Sequence, residues 1–322
     1  MDTPAVDVRA KRGHRGRLDN PRRAHESGLS LPTLGVISTP RGTATEWHLF
    51  PVLRKKFRLV LFPIQQDIEY AALKAQAKDV RVVLNTAGDM PNTYDALEMI
   101  KTFEGMGKHV IDSSRSFYYK EDKWLFYQTC VKHKLPTPVT YYIPRDIIAS
   151  RAKLRQILAE GPVVLKGVFS DTGRAVKRAL DYEEALHVIK SLHKKTGLMP
   201  LVAQRYIPHG KISYRVTLAG DKIIQAIVKY GKNWKEGKLF WKNEKYRTFT
   251  PDKKLALLCK KTAKAFGLEW CGIDLMKDAQ DRWLLIEVNS CPSMDFVLND
   301  MRRANEALTA YLLQVHTHEA KR

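Results

Sequence analysis

The chain has 322 residues, 44% of them hydrophobic, and a formal charge of +21 at pH 7. That length and apolar content can bury substantial cores and divide into two or three units, while the charge attracts polyanions (nucleic acid, nucleotides, anionic membranes or acidic proteins) without specifying a fold. No apolar run reaches the roughly 18 residues needed to cross a bilayer, and the four cysteines, Cys130, Cys259, Cys271 and Cys291, form no Cys-x-x-Cys pair, which argues against a zinc ribbon or a disulfide framework.

Residues 1–30 place Arg9, Lys11, Arg12, Arg15, Arg17, Arg22 and Arg23 among Gly, Pro, Asp and Ser, with little that builds a core. They read as a disordered basic tail, either a solvated extension or a contact for RNA, the ribosome or an acidic partner. No long apolar segment precedes a small-residue cleavage site, so the expectation is no membrane association, a reducing compartment and a cytoplasmic protein.

From residue 33 the pattern changes. Strands are expected at 34–37, 57–63, 80–85 and 109–112, alternating with helices at 46–56, 68–77 and 93–106. That alternation indicates an α/β domain with a largely parallel sheet over residues 31–118. A helix over 120–133 carries Lys123, and a strand at 139–143 follows. Asp146 is a candidate N-cap for a helix over 146–160. A buried strand at 162–166 ends in Lys166, a loop runs over 167–173, and a strand returns at 174–178. A helix at 182–194 and a strand at 201–207 complete a second unit over 119–205. In the remainder, 206–322, residues 211–219 and 222–229 form a hairpin around Gly220 and Asp221, followed by a stretch rich in lysine and aromatics up to Tyr246.

Several positions carry chemistry. Lys166 precedes a loop in which Ser170, Asp171, Thr172 and Gly173 can offer hydroxyl and backbone donors to an anion; an ordinary hairpin turn is the plain alternative, and the spacing is not that of a P-loop. The segment 201–208, with Gln204, Tyr206 and Ile207, can lend a backbone edge and apolar side chains to an adenine, or can be simple core. Arg215 lies on a strand whose alternate residues are apolar, and a guanidinium there needs an anionic partner. The most informative stretch is 270–289. Two apolar strands flank a turn at 277–281, so antiparallel pairing sets Asp274 opposite or close to Glu287. Side chains alternate along a strand, so Asn289 shares the Glu287 face. Two carboxylates and an amide then converge, a sparse set of hard oxygen donors suited to magnesium that also binds phosphate oxygens. The alternative is a polar, solvated hairpin.

Together these segments resemble the ATP-grasp superfamily, and within it the ribosomal-protein glutamate ligases. The resemblance runs over about two thirds of the chain and rests on ordered segments: 82–85, 107–112, 121–123, 136–138, 164–166, Gln204 to Ile207, Arg215, Gly272 to Asp274 and Glu287 to Pro292. It implies an α/β (α+β) chain with the ATP-grasp fold behind an N-terminal Rossmann-like pre-ATP-grasp domain, a lid subdomain over 119–205 and a metal-bearing subdomain over 206–322. It further implies ATP and Mg2+ (or Mn2+) as cofactors. Lys123 and Lys166 would hold phosphates, and the loop with Gly173 would close over them. Gln204, Tyr206 and Ile207 would surround the adenine. Asp274, Glu287 and Asn289 would bind metal, and Arg215 would face the reacting centre.

The implied activity is an ATP-dependent carboxylate-amine ligase that works through an acyl phosphate and joins an amino acid to an acidic peptide, protein or small carboxylate. Relatives of this kind are often homo-oligomers, and no residue pattern here locates an interface. Three departures stand out: Arg205 follows the hinge glutamine where an acidic residue is common, Ser213 stands where an aspartate is frequent, and Ser293 replaces a glycine. The segment 229–247 also fails to match; Lys232, Lys235, Lys238, Lys242, Lys245 and Arg247 could receive an acidic substrate or form a solvated loop. A related alternative is an ATP-grasp kinase of a phosphorylated polyol such as an inositol phosphate, since the Pro208-His209-Gly210 run is similar to theirs. Another is an RNA-binding protein that stacks bases on Trp234, Phe240, Trp241 and Tyr246.

Overall fold

Every residue of strand β1 (Thr33–Ser38) is buried, as in a parallel sheet covered on both faces. In a computed structural model that describes residues 31–40, 42–64, 69–87, 93–146, 151–169, 175–197, 199–208, 210–231 and 246–322, β1 pairs in parallel with β2 (Arg58–Pro63) and β3 (Val82–Asn85), and β3 with β4 (His109–Ile111), in the order β2-β1-β3-β4. Helices α1 (Ala44–Leu53), α2 (Tyr70–Gln76) and α3 (Thr93–Gly105) connect these strands. Thr43 and Glu46 form a reciprocal capping box that starts α1. The Glu46 carboxylate also accepts from Thr86 Oγ1 at 2.6 Å, tying the first turn of α1 to the loop after β3.

The single helix expected over 120–133 is two helices, α4 (Ser114–Glu121) and α5 (Lys123–Lys132). Asp122 breaks them: its backbone is extended (φ −99°, ψ 102°), and its carboxylate accepts from the amides of Trp124 and Leu125, both at 2.9 Å. An aspartate at such a boundary satisfies orphan N–H groups more effectively than it would continue a helix. The break also turns Lys123 so that its amide donates to Val168 O at 3.1 Å, beside an isolated bridge between Asp122 and Phe169.

A second, antiparallel sheet has the order β5-β8-β6-β7, from β5 (Thr140–Ile143), β6 (Val163–Gly167), β7 (Val176–Ala179) and β8 (Leu201–Arg205). Helices α6 (Arg151–Ala159) and α7 (Tyr182–Thr196) cover one face: Leu154, Ile157, Val188 and Leu192 pack on Val163, Leu165, Leu201 and Ala203. Alternation leaves Lys166 and Gln204 on the other face.

The third sheet has the order β11-β10-β9-β12-β13, formed by β9 (Ile212–Ala219), β10 (Lys222–Tyr230), β11 (Tyr246–Thr248), β12 (Trp270–Lys277) and β13 (Trp283–Ser290). Phe126 and Cys130 of α5 and Leu255, Cys259 and Phe266 of α8 (Lys253–Phe266) pack on Val216, Leu218, Ile273 and Val288. Leu308 and Leu312 of α9 (Leu298–Glu319) join a core with Leu34, Leu49, Ile224 and Trp270, which fastens the third sheet to the first. Residues Pro32–Arg322 form one compact unit. The basic tail over 1–30, the Gly173 loop over 170–174, the expected helix start over 147–150, His209 and the lysine- and aromatic-rich residues 232–245 lie outside the described residues. Among the described residues no helix is long and apolar enough to cross a membrane, and Cys130, Cys259, Cys271 and Cys291 are free thiols.

Candidate active site

Register brings the carboxylates together. In the β12–β13 pair, Asp274 lies opposite Glu287 and Gly272 opposite Asn289. On the other side, β9 sets Arg215 against Asp274 and Thr217 against Gly272. Arg215, Asp274, Glu287 and Asn289 therefore share one face of the sheet. Arg215 grips Asp274 with both ends of its fork, Nε donating to Oδ1 at 2.9 Å and Nη2 to Oδ2. Asn289 Nδ2 donates to Asp274 Oδ2 at 3.1 Å and to Glu287 Oε1 at 3.4 Å. Burial alone would raise the Asp274 carboxyl; the charges and hydrogen bonds of Arg215 and Lys229 outweigh it and hold the group well below the ordinary carboxylate range.

Lys229 and Phe296 belong to this site, and neither is evident in the motif pattern. Lys229 Nζ lies 2.7 Å from Asp274 Oδ1. It reaches that face through a β-bulge: the β9–β10 register pairs Ile223 with Leu218 but Gln225 with Thr217, leaving Ile224 as the extra residue. Counting back from the Gly220-Asp221 turn without that residue would turn Lys229 to the opposite face. The loop after β13 then crosses over. Cys291 takes a left-handed backbone (φ 46°), and fully buried Gln225 donates to Met294 O at 3.0 Å. Phe296 is thereby set under both cations, with the Arg215 guanidinium 5.5 Å and Lys229 Nζ 5.8 Å from its ring centre. Tyr246 closes on the same ring at 5.2 Å.

A second group lies on the second sheet. Lys166 Nζ donates to Gln204 Oε1 at 2.8 Å, and Gln204 Nε2 donates to Thr140 Oγ1 at 3.2 Å, so three strands share one polar line. At the end of β8, Arg205 N donates to Val139 O at 2.8 Å and Tyr206 N to Pro162 O at 3.0 Å. Tyr206 and Ile207 are half-buried, and the Arg178 guanidinium sits 5.1 Å from the Tyr206 ring centre. Arg205, which follows Gln204, points the other way: Nη1 donates to Ile157 O and Gly161 O at 3.1 and 2.7 Å, and Nη2 to Glu160 at 2.8 Å. It closes the end of α6, a role a cation suits. The other departing residue on the third sheet, Ser213, is buried opposite Lys229.

Asp274, Glu287 and the Asn289 amide fit magnesium in donor chemistry, all being hard oxygen ligands on one face. Among the described residues no group of three or more His, Cys, Asp or Glu gathers, at this face or elsewhere. Two carboxylates and an amide are a partial set, and such a set leaves coordination positions for water and phosphate oxygens.

A parallel α/β domain followed by two antiparallel sheets, one carrying the lysine–glutamine line and one the carboxylate cluster, defines an ATP-grasp protein of mixed α/β class. The chain belongs to the RimK-like ATP-grasp domain family, whose match spans residues 120–307. A probable alpha-L-glutamate ligase of Haemophilus influenzae strain PittEE is 24% identical over 212 residues, 64% of this chain and 67% of the relative. The D-alanyl-alanine synthetase A of Vibrio cholerae O1 biovar eltor superposes with a TM-score of 0.67 at 11% identity, covering 90% of this chain and 99% of that one. The ATP-grasp ligase PsnB, solved with a minimal precursor, Mg and ADP, superposes at 0.65 and 16% identity, covering 89% and 99%. The family and its relatives support a ligase that forms a C–N bond.

Proposed function

We propose that the protein is an ATP-dependent carboxylate-amine ligase that activates a carboxylate as its acyl phosphate and joins it to the amine of an amino acid, the carboxylate belonging to an acidic peptide, a protein or a small molecule. The observation that carries this reading is the shared face of Arg215, Asp274, Glu287 and Asn289. Support for the substrate class comes from relatives named as glutamate ligases and from a fold neighbour solved with a precursor.

In this reading Lys123 and Lys166 hold the ATP phosphates. The loop with Gly173 closes over them, and Gln204, Tyr206 and Ile207 bind the adenine. Asp274, Glu287 and Asn289 hold magnesium, which when bound offsets charge on the transferring phosphoryl group. The substrate carboxylate oxygen attacks the γ-phosphorus and ADP leaves. The amine nitrogen then attacks the acyl carbon, a proton leaves the nitrogen, and phosphate departs with the electrons of the C–O bond. Arg215 lies where its guanidinium can stabilise the oxyanion of that tetrahedral centre. Water must be kept out, because the acyl phosphate hydrolyses. No protein nucleophile is needed.

The test is ADP release by purified protein against pools of amino acids and acidic peptides, with mass measurement of the product. Release that needs both a carboxylate and an amine, with free phosphate and a product heavier by one condensed residue, is expected. Phosphate retained on the acceptor would instead make the protein a kinase.

A further inference from the structure

The steps above give Lys229 no task, although it makes the second ion pair to Asp274. The Lys229, Arg215 and Asp274 side chains are only 15%, 13% and 8% exposed, so their charges interact through little water. A carboxylate offers about four acceptor directions. On Asp274 the donors fill them: Arg215 Nε and Lys229 Nζ on Oδ1, Arg215 Nη2 and Asn289 Nδ2 on Oδ2. A divalent cation on this carboxylate must therefore displace a donor. The Arg215 fork is held by two parallel bonds, whereas Lys229 contributes one bond from a flexible stem. Asn289 vacates Oδ2 when its amide turns its oxygen to the metal, and on Oδ1, shared by Arg215 and Lys229, Lys229 is the group that yields.

Charge balance says what must follow. Among the described residues that meet at Asp274, Asp274 and Glu287 carry two negative charges and Arg215 and Lys229 two positive ones, so these four side chains balance. Ser213, directly opposite Lys229, adds a hydroxyl and no charge. A divalent cation added by itself leaves a double positive surplus in a poorly solvated place; one that arrives with a polyphosphate does not. We infer that Lys229 is a resident counter-ion of Asp274 that competes with the divalent cation for the same oxygen, so that metal enters only together with the nucleotide phosphates that receive the displaced ammonium. This inference rests on the ligase reading of the site. It makes Lys229 a positioning residue, and it predicts weak binding of metal without nucleotide as a property of the charge arrangement.

The test is isothermal titration calorimetry of Mn2+ alone, without nucleotide, into wild type, Lys229→Met and Lys229→Arg. Lys229→Met, which keeps the stem and removes the charge, is expected to bind Mn2+ about tenfold tighter than wild type, and Lys229→Arg to stay at the wild-type value. A purely structural lysine would not raise metal affinity on removal. Equal or weaker affinity in the Met variant, or no binding by either protein, overturns the assignment. Thermal melts report folding, and Lys229→Gln replaces the Met variant if that one fails to fold. The wild type is titrated with Mg-ADP in parallel. A chain that binds Mg-ADP yet shows no gain in Lys229→Met loses the counter-ion assignment alone; a chain that binds no nucleotide loses the ligase reading beneath it.

Discussion

Gly272 and Pro292 are packed so closely that a β-carbon on the glycine would stand 2.8 Å from the proline Cβ. Pro292 belongs to a rigid ring, so it cannot swing away as the tip of a long side chain would. The same missing side chain leaves space for the Arg215 stem, whose Cδ would be 3.4 Å from that carbon. Gly272 thus lets the loop carrying Phe296 lie flat over the sheet while Arg215 passes beneath it to Asp274.

Gly272→Ala should therefore act on stability and on the site together. Overpacking of this kind costs about 1–3 kcal/mol, and any relief must move either Pro292 or the strand that bears Asp274. A chemical denaturation midpoint below that of wild type, with ADP release reduced at saturating substrates, is expected. A variant that melts and turns over like wild type would show that the loop repacks freely.

Asp274 and Glu287 make different demands although both are assigned to the metal. Asp274 is buried and neutralises two half-buried cations, while Glu287 receives a long 3.4 Å contact from Asn289. Asp274→Asn should lose both turnover and stability, because removing one partner of a buried ion pair leaves charge uncompensated at a cost of about 3–5 kcal/mol. Glu287→Gln should lose turnover and keep its melting temperature. For each, the loss in ADP release should exceed about 100-fold, since even groups one step removed from a metal cost about 10–100-fold. Parallel melts and ADP assays check the contrast.

Much of this site is legible in the sequence, and the part that is not has identifiable causes. Asp274, Glu287 and Asn289 are readable as polar residues on two apolar strands joined by a short turn, but it is a register shift between Asp274 and Leu275 that sets Asp274 directly opposite Glu287 rather than Ile286. Lys229 is not readable, because Ile224 is an extra residue in the β9–β10 register and inverts the face of everything after it. Phe296 is hidden for another reason: its place depends on the long-range bond from Gln225 to Met294 O. The helix break at Asp122 was within reach, since an aspartate ahead of Lys123 and Trp124 is a good N-cap; the helical composition on both sides conceals it.

The segment 229–247 is tested by charge. Reversing Lys232, Lys235, Lys238 and Lys242 together should raise the Michaelis constant for an anionic acceptor and weaken its dependence on salt, as expected when steering from a basic surface is lost. The turnover number at saturation should change little. Kinetics in the variant indistinguishable from wild type across a range of ionic strength would assign those lysines to solvent.

Asp112 gives a pH prediction far from the chemistry. It is 4% exposed, its Oδ1 accepts from the amides of Glu269 and Trp270 at 2.6 and 3.0 Å, and its Oδ2 has no hydrogen-bond partner among the described residues. Burial pushes its carboxyl up to about 7, against the pull of those two amides; the Glu269 carboxylate also raises it, and His109 lowers it. Buried Cys271 lies nearby and carries no charge, its thiol being pushed far up by burial. A carboxyl with a raised folded value takes up a proton on folding. Its stabilising contribution is therefore complete below the unfolded value of 3.8 and is lost as pH rises through about 7. Between pH 5 and pH 8 that loss amounts to about 2–3 kcal/mol. His109, raised chiefly by its hydrogen bond to Glu269, has the same sign and cancels when variant and wild type are subtracted. Asp112→Asn keeps an oxygen for the two amides and removes the charge, so its stability relative to wild type should climb from pH 5 to pH 8. Denaturation midpoints at both pH values decide it: a difference that stays flat would mean that Asp112 is ionised throughout that range.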